Sequence, residues 1–297
     1  MNGGPPERRS PWWPSASSSV VGVIGDPVAH SLSPLLHNVA FDAMGLDWVS
    51  VAFPVAAGRV ADALVGMRAL GVVGLSVTMP HKQDAAVMVD ECTPVARRLG
   101  VVNCITGTAG RLVGDSTDGA GFVEAVRRGA GFDPAGRRCL VVGAGGAARA
   151  VILALADAGA QEVVVVNRSP VHAAEAAALA DERGRVGAVT DIAGAELVVQ
   201  ATPVGMAGVG DTGDGPPSTP FDPVHLHPGQ LVADLVYHPA VTPLLAAAGA
   251  RGAHTVGGLG MLVHQAALAV ERWTGRPAPV EAMWATARRS DASTTGG

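Results

Sequence analysis

The chain has 297 residues, of which 48% are hydrophobic and 16% are charged. This length predicts about two domains, and the apolar content excludes a disordered chain. The net charge of −5, from 21 basic and 26 acidic residues, comes without any basic block, so we expect no nucleic-acid partner.

Short apolar runs alternate with segments rich in Ala and Leu along the chain. This alternation is typical of β-α units around parallel sheets, so the predicted fold class is α/β. In the first half, strands are predicted at residues 20–25, 48–53, 74–77 and 101–106, and helices begin at Pro34, Arg59 and Pro94. In the second half, strands are predicted at residues 140–142, 163–166, 186–189, 197–200 and 231–235, and helices at residues 147–158, 170–183 and 242–248. A long helix over residues 261–273 follows, and periodicity alone assigns it to neither half.

The two ends and one interior segment have the composition of irregular chain. Residues 1–18 are rich in Pro, Ser and Gly, and residues 289–297 are polar and end in Gly, so both are predicted to be flexible tails. Residues 207–220 are dominated by Gly, Asp and Pro, which predicts a loop. The junction between the two domains is predicted near residues 115–121.

The cysteines and the apolar runs favour a cytoplasmic protein. Cys92, Cys104 and Cys139 are widely spaced and form no Cys-x-x-Cys pair, so we predict reduced packing residues and no metal site. The apolar run at residues 20–25 is too short for a signal peptide. The run at residues 140–158 fits a strand, a turn and a helix better than a membrane span. We therefore expect no membrane partner.

A glycine-rich turn follows the first predicted strand of the second half. Residues 138–150 read RCLVVGAGGAARA, which predicts a strand, a turn and a helix. Gly143 permits the tight turn, Gly145 lets backbone N–H groups approach a pyrophosphate, and Ala148 allows the helix to pack closely on the strand. The pattern predicts a dinucleotide site, and the alternative is a glycine-rich turn without a ligand.

The end of the next strand bears on which dinucleotide binds. A site for NAD usually carries Asp or Glu about 20 residues after the glycines, to accept from the ribose 2′-hydroxyl. Here the strand ends in Asn167-Arg168-Ser169. A guanidinium can pair with a 2′-phosphate, so the sequence favours NADP, and the alternative is that Arg168 is a surface residue. Ser169 before Pro170 also predicts a helix N-cap, which is compatible with binding.

Lysine occurs once in the chain, at Lys82, and the other 20 of the 21 basic residues are arginine. An ammonium can lose its proton after a modest fall in its pKa, whereas a guanidinium cannot, so this lysine is a candidate for proton transfer. Other polar residues cluster at predicted strand or turn ends. Individually each fits a turn or cap, as Ser33 before Pro34 fits an N-cap. Together they could recognise a small polyhydroxylated acid; they are Ser31, Ser33, Thr78, Lys82, Asn103 and Asp118.

The motifs GDPVAHSLSPLLHN, SVTMPHK, VVN, STDG, VGAGGAARA, NRS, ATPVGM, DLVYHPAVTPLL and GLGMLVHQAA occur in this order and spacing. They resemble the shikimate dehydrogenase family, which includes quinate dehydrogenases, over residues 20–284. The resemblance implies two α/β domains with the active site in the cleft between them. The substrate domain would comprise residues 19–117 together with 255–288, and a Rossmann-type NADP-binding domain would comprise residues 118–254.

The resemblance also implies roles for individual residues. Lys82 and Asp118 would form the catalytic pair. Ser31 and Ser33 would bind the substrate carboxylate. The remaining substrate contacts would come from Thr78, Asn103, Asp118, Tyr237 (the only tyrosine) and Gln265. The cofactor would contact Gly143, Ala144, Gly145, Gly146, Ala147, Asn167, Arg168, Ser169, Thr202, Gly257 and Met261.

The activity implied is the reversible NADPH-dependent reduction of 3-dehydroshikimate to shikimate, a step of aromatic amino-acid biosynthesis. The partners would be small molecules, and the protein would be a homodimer or a monomer. Two alternatives remain: a quinate or aminoshikimate dehydrogenase of the same family, and a non-catalytic NADP-binding sensor. The sequence departs from the family pattern at His172, which stands where a second basic residue is usual, and at Cys104 and Ser116, which replace Thr and Asn.

Overall fold

The chain forms two six-stranded sheets in a computed structural model that describes residues 14–206 and 219–294. The strands of the first sheet are β1 (Ser19–Gly25), β2 (Trp48–Pro54), β3 (Gly74–Val77), β4 (Glu91–Cys92), β5 (Cys104–Thr108) and β6 (Arg111–Asp115). Their order is β2-β1-β3-β5-β6-β4. Strand β1 is parallel to β2 and β3, whereas β5 is antiparallel to both of its neighbours. The helices between these strands are α1 (Ser33–Ala43), α2 (Val60–Leu70), α3 (Lys82–Met88) and α4 (Pro94–Leu99).

The second sheet is parallel throughout. Its strands are β7 (Arg138–Val142), β8 (Glu162–Val166), β9 (Gly184–Val186), β10 (Leu197–Gln200), β11 (Leu231–Asp234) and β12 (His254–Val256), in the order β12-β11-β10-β7-β8-β9. The strand order reverses between β7 and β10, which is where doubly wound sheets bind nucleotides. The remaining helices are α5 (Asp118–Ala130), α6 (Gly146–Asp157), α7 (Pro170–Ala177), α8 (Pro243–Ala250), α9 (Leu259–Thr274) and α10 (Val280–Thr294).

Each sheet has its own apolar core because its strands are covered on both faces. In the second sheet, β7 and β10 are apolar runs whose interior residues are buried, as expected for parallel strands covered by helices. Helices α9 and α10 return to the first sheet, where Val270 and Trp273 pack with Leu36 and Phe41 of α1. The long C-terminal helix therefore covers the first sheet, which periodicity alone did not determine.

Helix α5 lies between the two halves because two of its glycines allow very close approach. A Cβ at Gly119 would collide with the carbonyl oxygen of Ala150 in α6. A Cβ at Gly121 would lie 2.7 Å from the backbone nitrogen of Gln265 in α9. The two collisions involve backbone atoms, which cannot rotate away as a side chain can. Helix α5 is thus held directly against one helix from each half.

The predicted α/β class and most predicted strands are confirmed, but several boundaries are wrong. Strand β9 ends at Val186, and a 3₁₀ helix begins at Val189 where a strand was expected. The first half adds β4 and β6, the second half adds β12, and β5 begins only at Cys104. The predicted helix over residues 170–183 ends as α7 at Ala177, and the following 3₁₀ turn contains Asp181 with a non-helical φ of 51°. The backbone dihedral angles decide where these strands and this helix begin and end. The periodicity of side chains does not encode those angles.

The predicted cap at Ser33 is wrong, whereas the cap at Ser169 is confirmed. Leu32 is the N-cap residue of α1, and Ser33 lies inside the helix without capping it. The Ser169 hydroxyl accepts a hydrogen bond from the backbone N–H of His172 at 3.4 Å.

The tails and the interior loop are only partly described. Helix α10 runs to Thr294, so residues 289–294, predicted as tail, are helical. In the N-terminal segment, Ser15 and Ser18 donate hydrogen bonds to the carboxylate of Asp47. Residues 1–13 and 295–297 of the predicted tails, and residues 207–218 of the predicted loop, lie outside the described residues. In the part of the chain that the structure covers, no helix is long and apolar enough to cross a membrane.

Gly121→Ala should destabilise the protein by about 1–3 kcal/mol, because the added methyl group pushes α9 away from α5. Gly129→Ala, in the same helix, is the matched control: a Cβ there meets nothing within 4 Å, so this change should stabilise by about 0.5–1 kcal/mol. Urea denaturation of both variants measures the difference. Equal effects of the two substitutions would contradict the close packing of α5.

Candidate active site

A lysine and an aspartate from different parts of the chain meet at the junction of the two halves. Lys82 is the first residue of α3 and Asp118 is the first residue of α5. The Lys82 Nζ donates to Asp118 Oδ2 at 2.5 Å. The Asp118 side chain is only 9% exposed and that of Lys82 is 20% exposed. The only lysine is therefore held by a charge-assisted hydrogen bond at a partly desolvated position.

Asn103 occupies the other oxygen of the same carboxylate. Its Nδ2 donates to Asp118 Oδ1 at 2.8 Å, and it also lies 3.4 Å from Gln265 Oε1. Asn103 is buried in the loop between α4 and β5. An ionised carboxylate only accepts hydrogen bonds, and here each oxygen has a donor. The Asp118 side chain is consequently fixed in orientation from two sides.

Thr117 joins this network although it was not among the predicted site residues. Its backbone N–H donates to Asn103 Oδ1 at 2.7 Å, and its hydroxyl donates to the carbonyl oxygen of Gln265 at 3.1 Å. The Asn103 Nδ2 is also 3.0 Å from the Thr117 hydroxyl. Thr117 therefore holds Asn103 and α9 in register with Asp118. The signal for it was its position directly before Asp118 in the STDG motif.

The hydroxyl residues of the first half lie at the ends of two neighbouring strands. Ser31 and Ser33 follow β1, and Thr78 follows β3, which pairs with β1 up to Ile24 opposite Val77. The Ser31 hydroxyl accepts from the backbone N–H of Ser33 at 3.3 Å. The backbone N–H of Thr78 donates to the carbonyl oxygen of Ile24 at 2.9 Å, and this bond fixes the segment that leads to Lys82. The SLSP and SVTMPHK motifs thus follow the carboxyl ends of two neighbouring parallel strands of the first sheet.

Tyr237 lies in the segment between β11 and α8. Its side chain is half-buried, and burial raises the pKa of its phenol. Within residues 14–206 and 219–294, no hydrogen-bond partner contacts its hydroxyl. Asp234 and Thr242, two residues that the sequence prediction missed, hold this segment: Thr242 donates to Asp234 Oδ2 at 2.7 Å. Burial raises the pKa of Asp234, whose only signal was its place in the DLVYHPAVTPLL motif.

The glycine-rich turn after β7 leaves room for a phosphate group. Gly143 has a φ of +119°, which favours glycine, and a Cβ there would lie 3.0 Å from the Ala201 carbonyl oxygen. Helix α6 begins at Gly146 without a side-chain cap, so its first N–H groups are not used by a side chain. A Cβ at Gly145 or Gly146 would meet nothing within 4 Å. Ala144 and Ala147 complete this turn, which has the free donors and open space that a pyrophosphate needs.

Arg168 stands at the end of β8 with its guanidinium exposed. None of the residues that the structure describes forms a hydrogen bond or an ion pair with that guanidinium. Its neighbours are fixed: Asn167 Nδ2 donates to the carbonyl oxygen of Ser169 at 3.1 Å, and Ser169 caps α7. The exposed guanidinium of Arg168 therefore provides a positive charge just after β8.

Three further predicted cofactor residues lie on other elements. Thr202 follows β10, and its hydroxyl donates to Gln200 Oε1 at 2.9 Å. Met261, in the first turn of α9, packs against the core of the second sheet. Gly257 is half-buried, but the closest backbone approach is made by the next residue, Gly258, where a Cβ would collide with the Leu235 carbonyl. The sequence prediction missed Gly258.

Sequence models of three protein families match different parts of the chain. Residues 23–105 match the shikimate dehydrogenase substrate binding domain, residues 126–203 match shikimate / quinate 5-dehydrogenase, and residues 258–288 match the shikimate 5′-dehydrogenase C-terminal domain. A relative named shikimate dehydrogenase (NADP(+)), from Moorella thermoacetica, is 44% identical and covers 95% of this chain and 97% of its own. The chain belongs to the shikimate dehydrogenase family. The predicted architecture, a substrate-binding domain followed by an NADP-binding domain, is confirmed.

Solved structures of the shikimate dehydrogenase family agree with this architecture. The Thermus thermophilus enzyme, solved with NADP(H) and shikimate, is 36% identical, covers 92% of this chain and 99% of its own, and has a TM-score of 0.84. A quinate dehydrogenase from Corynebacterium glutamicum, solved with NAD, is 32% identical, covers 91% and 98%, and has a TM-score of 0.83. Two substrates and two cofactors therefore occur among relatives of very similar fold.

Proposed function

We propose that this protein is an NADP-dependent oxidoreductase that reversibly reduces 3-dehydroshikimate to shikimate. The observation that carries the proposal is the contact of Lys82 with Asp118, completed by Asn103, at the junction of the two domains. The 44% identity to shikimate dehydrogenases named for NADP(+) over most of the chain supports the same reaction.

The proposed active site lies between two domains. The substrate-binding domain comprises residues 19–117 together with 255–288, and the NADP-binding domain comprises residues 118–254. The packing of α9 and α10 on the first sheet supports the assignment of the C-terminal segment to the substrate-binding domain. Shikimate contacts would come from both domains, through Ser31, Ser33, Thr78, Lys82, Asn103, Asp118, Tyr237 and Gln265.

The residues after β7 and β8 fit NADP. The open turn at Gly145 and Gly146 offers backbone donors to the pyrophosphate, and the exposed guanidinium of Arg168 suits the ribose 2′-phosphate. Gly143, Ala144, Ala147, Asn167 and Ser169 would shape these contacts, and Thr202, Gly257 and Met261 would lie beside the nicotinamide half. When bound, the dinucleotide would supply the hydride for reduction of the C3 carbonyl carbon.

Lys82 has the position and chemistry of the proton donor. In the reducing direction, its ammonium gives a proton to the carbonyl oxygen as that oxygen gains charge, which yields the C3 hydroxyl. In the oxidising direction, the neutral amine takes the proton back. Asp118 holds Nζ in place, Asn103 holds Asp118, and Thr117 holds Asn103, so proton transfer and substrate orientation depend on one hydrogen-bond network.

Quinate is the second candidate substrate, because a quinate dehydrogenase is among the structures of similar fold. Quinate carries one more hydroxyl than shikimate, and a pocket for quinate would have to differ near Ser33 or Thr78. The experiment that tests the proposal compares shikimate, quinate and aminoshikimate with NADP and NAD. A higher kcat/KM for shikimate with NADP than for every other combination supports the proposal, and quinate in first place would replace it. No turnover with any acid would favour the sensor alternative.

We further propose that the protein works in the cytoplasm on small molecules, as a monomer or a homodimer. Cys92, Cys104 and Cys139 are all unpaired, which fits a reducing compartment. Burial raises the pKa of Cys104 and Cys139, so these two thiols are protonated packing groups.

Lys82→Ala should reduce kcat by about 10²–10⁴-fold, because a positioned acid–base group is lost. The affinity for NADP, measured by fluorescence titration, should stay within about twofold of wild type, since Lys82 belongs to the other domain. Asp118→Asn is the companion variant: it keeps the shape but removes the charge that holds Nζ, so kcat should fall as well. A Lys82→Ala enzyme with most of its wild-type kcat would disprove the assignment.

Arg168→Ala should weaken NADP by roughly 10–100-fold and leave NAD almost unaffected, because one charged hydrogen-bonding group to the 2′-phosphate is removed. Arg168→Asp should reverse the preference, since a carboxylate repels the phosphate and accepts from a free 2′-hydroxyl. The exposed Arg59→Ala, in the substrate-binding domain, is the control and should change neither value. The measurement is KM for both cofactors, and an unchanged NADP/NAD ratio would place the phosphate elsewhere.

A further inference from the structure

Two basic side chains of the substrate-binding domain form ion pairs with the NADP-binding domain within the described residues. One is Lys82, in the proposed active site, which pairs with Asp118. The other is Arg98 in α4, which pairs with Asp157 and Asp181. The proposed chemistry uses the first pair and leaves the second without a function.

Arg98 contacts three acceptors of the NADP-binding domain at once. Its Nη1 lies 3.2 Å from Asp157 Oδ1 at the end of α6. Its Nη2 lies 2.9 Å from Asp181 Oδ2 and donates to the Leu179 carbonyl oxygen at 3.1 Å. A planar guanidinium suits such a fork because its donors point in fixed directions. The contact therefore constrains the angle between α4 and α6 as well as their distance.

Asp181 adopts an unusual backbone conformation beside this contact. Its φ is 51° and its ψ is −131°, a region that residues with a side chain rarely occupy. Such conformations persist only where surrounding contacts compensate for their cost. The hydrogen bond from Arg98 to the Asp181 carboxylate is a contact of this kind. The strained turn and the guanidinium thus belong to one arrangement.

Apolar side chains also pack between the two domains next to Arg98. Leu99 and Val101 of the substrate-binding domain pack with Ala150 and Leu153 of α6, and all four are buried. A cavity of about 570 Å³ lies next to them, between α4, α5, α6 and α9, and Asp157 is among its lining residues. The cavity leaves space in which α4 and α6 could change their separation. We call this region, defined by Arg98, its three acceptors and the four apolar residues, the outer joint.

The backbone connects the two domains close to the active site. The chain crosses between Asp115, where β6 ends, and Asp118, where α5 begins. It crosses back between Val256, where β12 ends, and Leu259, where α9 begins. Two crossings near one edge act as a pivot and do not by themselves fix the angle between the domains. The packing of α5 between α6 and α9 fixes part of that angle, and the outer joint adds a further set of contacts between α4 and the NADP-binding domain.

We propose that Arg98 is a positioning residue for the dehydrogenase reaction, which holds the two domains at the angle at which Lys82 meets Asp118. The inference rests on the proposed function, because its kinetic test uses shikimate oxidation. Both contacts are made in the same arrangement of the chain. Loss of the outer joint lowers the fraction of molecules with an assembled site, and the apparent affinity for substrate falls by that fraction.

The expected effect is larger on KM than on kcat. Bound shikimate contacts both domains, so saturating shikimate restores the assembled arrangement that Arg98 favours in the protein without this substrate. Exposed ion pairs each contribute little, so we expect Arg98→Ala to raise the KM for shikimate by about 3–10-fold and to change kcat less than twofold. Salt screens exposed pairs, so the difference between wild type and variant should shrink at high ionic strength.

The experiment measures shikimate oxidation at saturating NADP for wild type, Arg98→Ala and Arg111→Ala. Arg111 is the matched control, because it is an exposed arginine that pairs with Glu91 inside the substrate-binding domain. The combined change Asp157→Asn with Asp181→Asn should reproduce the KM of Arg98→Ala, and adding it to Arg98→Ala should change nothing further. Equal KM values for the Arg98→Ala and Arg111→Ala enzymes, or additive effects of the two sets of changes, would overturn the proposal.

Small-angle X-ray scattering separates this inference from the proposed function. The ligand-free Arg98→Ala protein should have a larger radius of gyration than wild type, and Arg111→Ala should not. If wild type does not oxidise shikimate, the proposed function fails while the scattering result still decides the role of Arg98. Unchanged scattering together with an unchanged KM would refute the outer joint as a positioning device.

Discussion

Helix α5 packs tightly between α6 and α9, and this contact positions both the two domains and the candidate site. Gly119 and Gly121 remove the side chains that would keep these helices apart, so backbone meets backbone on two sides. Asp118 lies at the first residue of α5 and inherits this fixed position. The Asp118 carboxylate accepts a hydrogen bond from Lys82 on one oxygen and from Asn103 on the other. The position of the proposed proton donor therefore depends on how the two domains pack.

The departures from the family pattern are explained by where the residues lie. Cys104 is buried in the core beneath α9, among apolar side chains such as Val263 and Val270, and a thiol packs there as a small hydrophobic group. Ser116 is also buried, and its hydroxyl has no hydrogen-bond partner among the described residues. Neither residue contacts Lys82 or Asp118 by a hydrogen bond. Both residues therefore lie at buried positions, and the proposed proton-transfer network is complete without them.

The positive charges of Arg168 and Lys82 lie in different electrostatic environments. Arg168 is exposed and not engaged by the described residues, so its charge is available to a ligand and is screened by salt. Lys82 is partly desolvated and already paired, so its charge is available only within the local network. Cofactor preference should therefore respond to ionic strength, whereas proton transfer should respond to changes in the hydrogen bonds around Asp118.

The α/β class, the glycine turn after β7, the cap at Ser169 and the residue types of the site could all be predicted from the sequence, because they depend on local pattern and chemistry. The sequence did not determine where α7 ends, that Ser33 lies inside α1, or that Thr117, Asp234, Thr242 and Gly258 support the site. These features depend on backbone direction and on contacts between residues far apart in the chain, such as Thr117 with Gln265. The close approach of α5 to α6 and α9, and the contact of Arg98 with Asp157 and Asp181, are visible only in the folded protein. Such contacts arise from the packing of whole elements and leave no periodic signal in the sequence.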